Sequence, residues 1–408
     1  MKKSSVFYAV LILLIGLSSS CKQSTKQESQ DDKAVTKSLS LEGEKWSVQM
    51  AESIKHRFPE GYQIDDRTTA KWDYVHGLVL KAFLDLEMVT DSVVYYDYVA
   101  DYADQLINED GSIQTYTLDD YNIDMINAGK LLFEVYERSG NEKYLKAMQL
   151  LRKQLAEHPR TSQGGFWHKK RYPSQMWLDG LYMGAPFYAQ YAVTFGDSEN
   201  LNDVAKQFEL IQEHAIDAET QLLYHGWDES KEQQWADQET GVSPNFWSRS
   251  LGWYMMALVD VLDYFPEEHP KRKELISYLQ QLTEALIPYQ HESGLWYQVP
   301  TMGDQEGNYL EASGSSMFAY AIAKGVNKGY LDQRFKAVAN KAFDGLTQEL
   351  IVRNDDGTIT LTQVCAVAGL GGDPYRDGSF EYYVNERQKD NDPKGTGPFI
   401  MAALQLDR

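Results

Sequence analysis

From about residue 42 onward, apolar residues return every three or four positions in one segment after another, a sustained helical period that commits the chain to an all-α fold. The segments are 74–87, 92–107, 125–138, 143–155, 178–193, 201–214, 250–264, 273–288, 315–327, 333–348 and 396–404. A first helix near 44–57 brings the number to about twelve. Strand-like runs are few and short, such as 358–363. No Gly/Pro/Ser-rich linker interrupts the chain after residue 42, so 42–408 reads as one domain.

Helix pairs in one long domain suggest a solenoid or a closed toroid. Polar-aromatic clusters mark the starts of alternate helices: Trp72-Asp73, Asp124, Trp177-Asp179, Trp247-Arg249, Ser313 and Lys394. Their spacings of 52, 55, 68, 66 and 81 residues each hold two helices with loops. They are too uneven for a tandem-repeat array. Six pairs closed into a ring put six helix starts on one rim, which predicts an (α/α)6 barrel with a central cleft. Such a rim carries free N–H groups and partial positive charge, and it suits an anion.

Charge narrows the function. The 39 Lys and Arg stand against 60 Asp and Glu, a formal charge of −21, which argues against nucleic-acid and basic membrane-surface binding. With only Cys21 and Cys365, neither a disulfide framework nor a Cys-based zinc site is expected. There is no HExxH, no dinucleotide or Walker fingerprint and no G-x-S-x-G elbow. The content of Tyr (27), Phe (15) and Trp (9) suits either sugar stacking or a large helical core.

The N-terminus predicts an address. Lys2 and Lys3 precede an apolar run over 6–17, and Leu17-Ser18-Ser19-Ser20-Cys21 resembles a bacterial lipobox. Residues 1–20 then form a lipoprotein signal peptide, and 21–41 the lipidated Cys21 with a flexible tether. The plainer alternative is an ordinary secretory signal. The lack of an acidic run after Cys21 favours an outer-membrane anchor facing the periplasm over display on the cell surface.

Several clusters are able to carry chemistry. His168-Lys169-Lys170-Arg171 is a cationic patch in an acidic chain, and Asp179 follows beside Trp177 at a helix start. Asp124 repeats that placement. Two such carboxylates on neighbouring inner helices can form a pair that raises one pKa. His225 lies in a loop, and Trp247 and Trp253 bracket Arg249, an arrangement suited to a sugar and its carboxylate. Taken singly, each has a plainer reading: helix caps for the acids, a solvated loop for the cations, core packing for the Trp residues.

Together these motifs resemble glycoside hydrolase family 105, the unsaturated rhamnogalacturonyl hydrolases, relatives of the family 88 unsaturated glucuronyl hydrolases. The resemblance rests on YNIDMINAGKLL (121–132), QMWLDGLYMGAPF (175–187), FWSRSLGWYMMALVDVLDYFP (246–266), SGLWYQV (293–299), GNYLEASGSSMFAYAIAKGVNKGYLD (307–332), GLGGDPYRDGSFEYYVNE (369–386) and DPKGTGPFIMAAL (392–404). It runs from about residue 45 to the C-terminus and implies an (α/α)6 barrel. It implies Asp179 and Asp124 as the catalytic acids. His168, Lys169, Trp177, His225, Trp247, Arg249 and Trp253 are implied as substrate-binding. No metal or organic cofactor is implied.

The implied substrate is an oligosaccharide ending in a 4,5-unsaturated uronic acid, left by an upstream polysaccharide lyase. Rhamnogalacturonan I and ulvan are both expected sources, with acidity and the lipoprotein signal tilting toward ulvan. Rival readings on the same barrel are an inverting glycosidase, a sugar epimerase and a non-catalytic glycan-binding lipoprotein.

Overall fold

In the computed structural model, which describes residues 39–408, the helical period becomes a double ring. Residues 1–38, including the expected signal peptide, Cys21 and most of the tether, lie outside the described residues. The first helix is α1 (Trp46–Arg57). Five pairs follow, each an inner helix and then an outer one. They are α2 (Tyr74–Thr90) with α3 (Val93–Leu106), α4 (Leu131–Ser139) with α5 (Glu142–Glu157), and α6 (Leu178–Thr194) with α7 (Leu201–Ala215). Next come α8 (Ser248–Val261) with α9 (Arg272–Leu286), and α10 (Ala312–Asn327) with α11 (Lys336–Glu349). After the short α12 (Phe380–Asn385), α13 (Pro393–Leu406) packs between α10 and α2 and closes the inner ring, with α1 on its outer side.

Composition decides which helix goes inside. Helix α10 reads ASGSSMFAYAIAKGVN and is buried on every side from Ala312 to Val326. Its outer neighbour α9 buries only Leu275, Leu279, Leu282, Thr283 and Leu286, a single stripe. Glycine allows the inner helices to touch near the barrel mouth. A Cβ on Gly77 would stand 2.6 Å from the Ala128 backbone, and one on Gly314 would stand 2.7 Å from Ser248 Cβ. Aromatic rings pack between neighbouring inner helices, where Trp253 of α8 stacks on Tyr182 of α6 with centroids 4.9 Å apart.

All twelve expected helices are present near their expected bounds. The fourth is the least regular, because Ile123–Lys130 is a 3-10 helix that runs into α4. The expected strand near 358–363 is present over Ile359–Leu361. Among the described residues the strands are β1 (Gln175–Trp177), antiparallel to β2 (Gly226–Asp228), and β3 (Ile351–Arg353), antiparallel to β4 (Ile359–Leu361).

Candidate active site

The inner helices begin around a cavity of about 180 Å³. First-turn residues from five of them line it: Tyr74, Asp124, Asp179, Arg249 and Lys394. The sixth, α10, contributes through Ser313, whose Oγ accepts from Arg249 Nε at 2.7 Å. Five cationic side chains (Lys169, Arg171, Arg249, Arg376, Lys394) face two carboxylates (Asp124, Asp179) across this space. The helix N-termini add further positive potential. The wall thus opposes the sign of the whole chain and favours an anionic ligand.

Backbone pairing brings distant parts of the sequence together here. Ile123 N–H donates to His168 C=O, and Asn122 bridges Lys169, which lays the 168–169 segment over Asp124. The β1–β2 pair, extended by Leu178 N–H donating to His225 C=O at 3.1 Å, sets His225 beside Asp179. Gly226 is required at that crossing, because a Cβ would meet Trp177 Cδ1 at 2.9 Å and Leu370 Cδ1 at 2.7 Å.

Neither site carboxylate is a helix cap. Asn122 caps the 3-10 stretch, while Trp177, the N-cap of α6, makes no side-chain cap, so Asp124 and Asp179 sit one residue inside their first turns. Asp124 Oδ2 lies 2.5 Å from Lys169 Nζ, and its Oδ1 lies 3.5 Å from His168 Nε2. This changes two expectations. Lys169 is engaged with Asp124 rather than held free for a ligand. The Asp124 charge is also compensated by that ammonium, which weakens its expected like-charge action on Asp179. Burial, and then the Lys169 ammonium, hold His168 well below the ordinary imidazole range. His168 is therefore a neutral hydrogen-bonding group near pH 7 and adds no charge to the cluster.

Asp179 has a different neighbour. His225 Nε2 lies 3.1 Å from Asp179 Oδ2, at contact distance but outside hydrogen-bond alignment. Oδ2 accepts no hydrogen bond among the described residues. On its other side, His225 Nδ1 lies 2.7 Å from the buried Tyr383 hydroxyl. Burial raises the Tyr383 phenol well above its usual range, so it stays protonated and is placed to donate to Nδ1. With the phenol donating to Nδ1, the ring proton resides on Nε2, the nitrogen 3.1 Å from Asp179 Oδ2. Replacing Tyr383 by Phe removes the tautomer lock. We expect turnover to fall about tenfold, the worth of one hydrogen bond, with KM little changed. Steady-state kinetics with the Tyr383→Phe variant measure this, and unchanged kcat would contradict it.

The aromatic side chains line the cavity but are already packed. Trp177 is stacked by His168 at 4.3 Å and by Tyr172 at 5.0 Å, Trp247 by Tyr383 at 5.9 Å, and Trp253 by Tyr182. From the sequence, Arg249 is expected to meet a sugar carboxylate. Its Nε is bound by Ser313, and one terminal nitrogen donates to Cys365 C=O and lies 3.7 Å from Glu311. Part of the guanidinium is thus already engaged within the protein. Cys365 itself is a buried thiol pushed up to about 11 by burial, which makes it a poor nucleophile.

The sequence did not single out Tyr172, Glu311, Arg376 or Tyr383 as site residues. Arg376 donates to the Tyr172 hydroxyl at 2.9 Å and to Gly371 C=O at 2.8 Å, which fixes the 367–376 loop over the cavity. Glu311 carried a local signal, an acid three residues before Gly314 at the start of an apolar helical run, as an N-cap requires.

Known proteins share this architecture. The family model described as Glycosyl Hydrolase Family 88 matches residues 46–408. A solved family 105 glycoside hydrolase from C. acetobutylicum ATCC 824 is 45% identical, covers 89% of this chain and 99% of its own, and superposes with a TM-score of 0.85. Protein Atu3128 of Agrobacterium fabrum is 38% identical over 227 residues, 54% of this chain and 96% of its own length. Unsaturated rhamnogalacturonyl hydrolase YesR of Bacillus subtilis is 25% identical over 257 residues, 62% of this chain and 70% of its own length. The chain belongs to the family 105 glycoside hydrolases, within the span of the family 88 model.

Proposed function

We propose that this glycosidase removes the non-reducing-end 4,5-unsaturated uronic acid from lyase-generated oligosaccharides of a rhamnose-containing acidic polysaccharide. The observation that carries the reading is one carboxyl group, Asp179, with an unpartnered oxygen in a cavity whose other charged walls are mostly cationic. A uronate needs the cations, and its C4=C5 double bond needs one proton donor. The named activity of YesR supports rhamnose as the neighbouring sugar.

The chemistry follows from the substrate. The C4=C5 bond is an enol ether conjugated to a carboxylate. Asp179 gives a proton to C4, and positive charge develops at C5 and the ring oxygen. As the carboxylate, Asp179 then takes a proton from water as that water adds to C5. The resulting hemiketal opens by breaking the bond from C5 to the ring oxygen. The C1 hemiacetal so formed releases the rest of the oligosaccharide as an alcohol. His225, held by Tyr383, packs against Asp179 Oδ2 and limits its movement. Asp124, its charge balanced by Lys169, accepts from ring hydroxyls. The free part of Arg249, together with Lys394 and the helix N-termini, holds the uronate.

In this reading the enzyme is a bacterial lipoprotein carried on Cys21, on the periplasmic side of the outer membrane, and works downstream of a polysaccharide lyase. The pattern 17–21 supports the anchor. The test is incubation with lyase products of rhamnogalacturonan I and, separately, of ulvan, while following the ultraviolet band of the conjugated double bond. Loss of the band on either set is expected, and the set that responds names the polymer. A stable band on both, with release of sugar from saturated glycosides, would favour a conventional glycosidase.

A further inference from the structure

The other end of the barrel holds a second cavity, of about 320 Å³, where the inner helices finish. Three of its four lysines are matched by acids. Lys81 pairs with Asp85, Lys324 lies 2.7 Å from both Asp260 and Asp263, and Lys328 lies 3.1 Å from Asp263. Lys130 is not matched. It is 5% exposed, and its Nζ has no hydrogen-bond partner among the described residues. Its ammonium stands 3.9 Å over the Tyr182 ring, and the buried Tyr182 hydroxyl also lacks a partner among the described residues. Two adjacent buried polar groups left unsatisfied are unusual in a folded protein. Burial brings Lys130 down to about 7, where an arriving anion readily recruits a proton to it.

Charge and shape together describe the ligand. With Lys130 protonated, four cations face three carboxylates, so one negative charge completes the set. Met88, Val89 and Leu404 give the cavity an apolar side, and the first two are exposed at its rim. A bare inorganic ion would leave that side unused. The stacked rings of Trp253 and Tyr182 stand between this space and the catalytic cavity. We infer that the rear cavity is a second binding site, for a small organic monocarboxylate whose carboxylate draws Lys130 Nζ off the Tyr182 ring to pair with it and whose carbon skeleton packs on Met88, Val89 and Leu404.

The test titrates acetate, lactate and D-galacturonate against the protein at constant ionic strength, with chloride as reference, near pH 6 and near pH 8. The readout is Tm, which rises with any ligand that binds the folded state alone. Two variants are run beside the wild type. Lys130→Met keeps the volume and removes the charge, and Leu404→Trp fills the cavity while leaving Lys130 in place. At least one carboxylate is expected to raise the wild-type Tm, and more at the lower pH, where Lys130 charges readily. Both variants are expected to lose that increment and keep their turnover. An equal increment in all three proteins would move the anion to the catalytic cavity and overturn the inference. No increment from any of the three carboxylates would overturn it as well.

Discussion

Asp179→Asn is expected to lower turnover by about 10²- to 10⁴-fold, the usual worth of a positioned general acid–base group, and to leave the fold intact. The amide has almost the same shape but cannot release a proton to C4 or accept one from water. Stability is spared because this side chain does little structural work. It does not cap α6, and its Oδ2 accepts no hydrogen bond among the described residues. The change in unfolding free energy is expected to stay within about 0.5 kcal/mol. Substrate binding is expected to persist, since the cationic wall is untouched, so the loss falls on kcat rather than KM. Steady-state kinetics with thermal unfolding on the same preparation check both halves. Near-normal turnover would remove Asp179 from the chemistry, and a non-catalytic glycan-binding protein would show no turnover to lose.

The largest stability effect is expected at Glu311, on the far side of Arg249. Glu311 is fully buried and works as three things at once. It caps α10 through Gly314 N–H at 2.6 Å, accepts from Cys365 N–H at 2.9 Å and Ser313 Oγ at 2.7 Å, and faces the Arg249 guanidinium. Glu311→Ala leaves a buried cation uncompensated and several donors unpaired, a cost of about 3–5 kcal/mol. Glu311→Gln keeps the size and one acceptor and is expected to lose less. Urea unfolding separates the two, and a loss below about 1 kcal/mol in the Ala variant would show that Arg249 finds another partner. Turnover is expected to fall in both, because Arg249 forms part of the uronate-binding wall.

The fold was legible because its period is long and repeated. Apolar stripes at three and four residues define each helix, and the clusters from Trp72 to Lys394 mark the starts of the six inner ones. What escaped the sequence was shorter than any period. Strands β1 and β2 are three residues each, too short for alternation to show, yet their pairing joins His225 to Asp179. Tyr383 lies on a six-residue helix near the end of the chain and reaches the site only through the tertiary fold. Residue identity pointed to Asp124, Asp179, His168, Lys169 and Arg249, and the fold gathers all of them in one cavity. Their partners were not readable. Spacing along a helix does not say that Lys169 turns onto Asp124, or that Arg249 spends most of its fork on Ser313 and Cys365.

Proton delivery to C4 is the central claim, and the most direct measurement follows the reaction by NMR in deuterated water with an unsaturated oligosaccharide. The vinylic H4 signal is expected to disappear, and the first-formed product to carry one deuteron from solvent on a single face of its C4 methylene. An intact vinylic signal in a released sugar, with no deuterium at C4, would mean cleavage at C1 by an ordinary glycosidase route and would contradict proton delivery to C4.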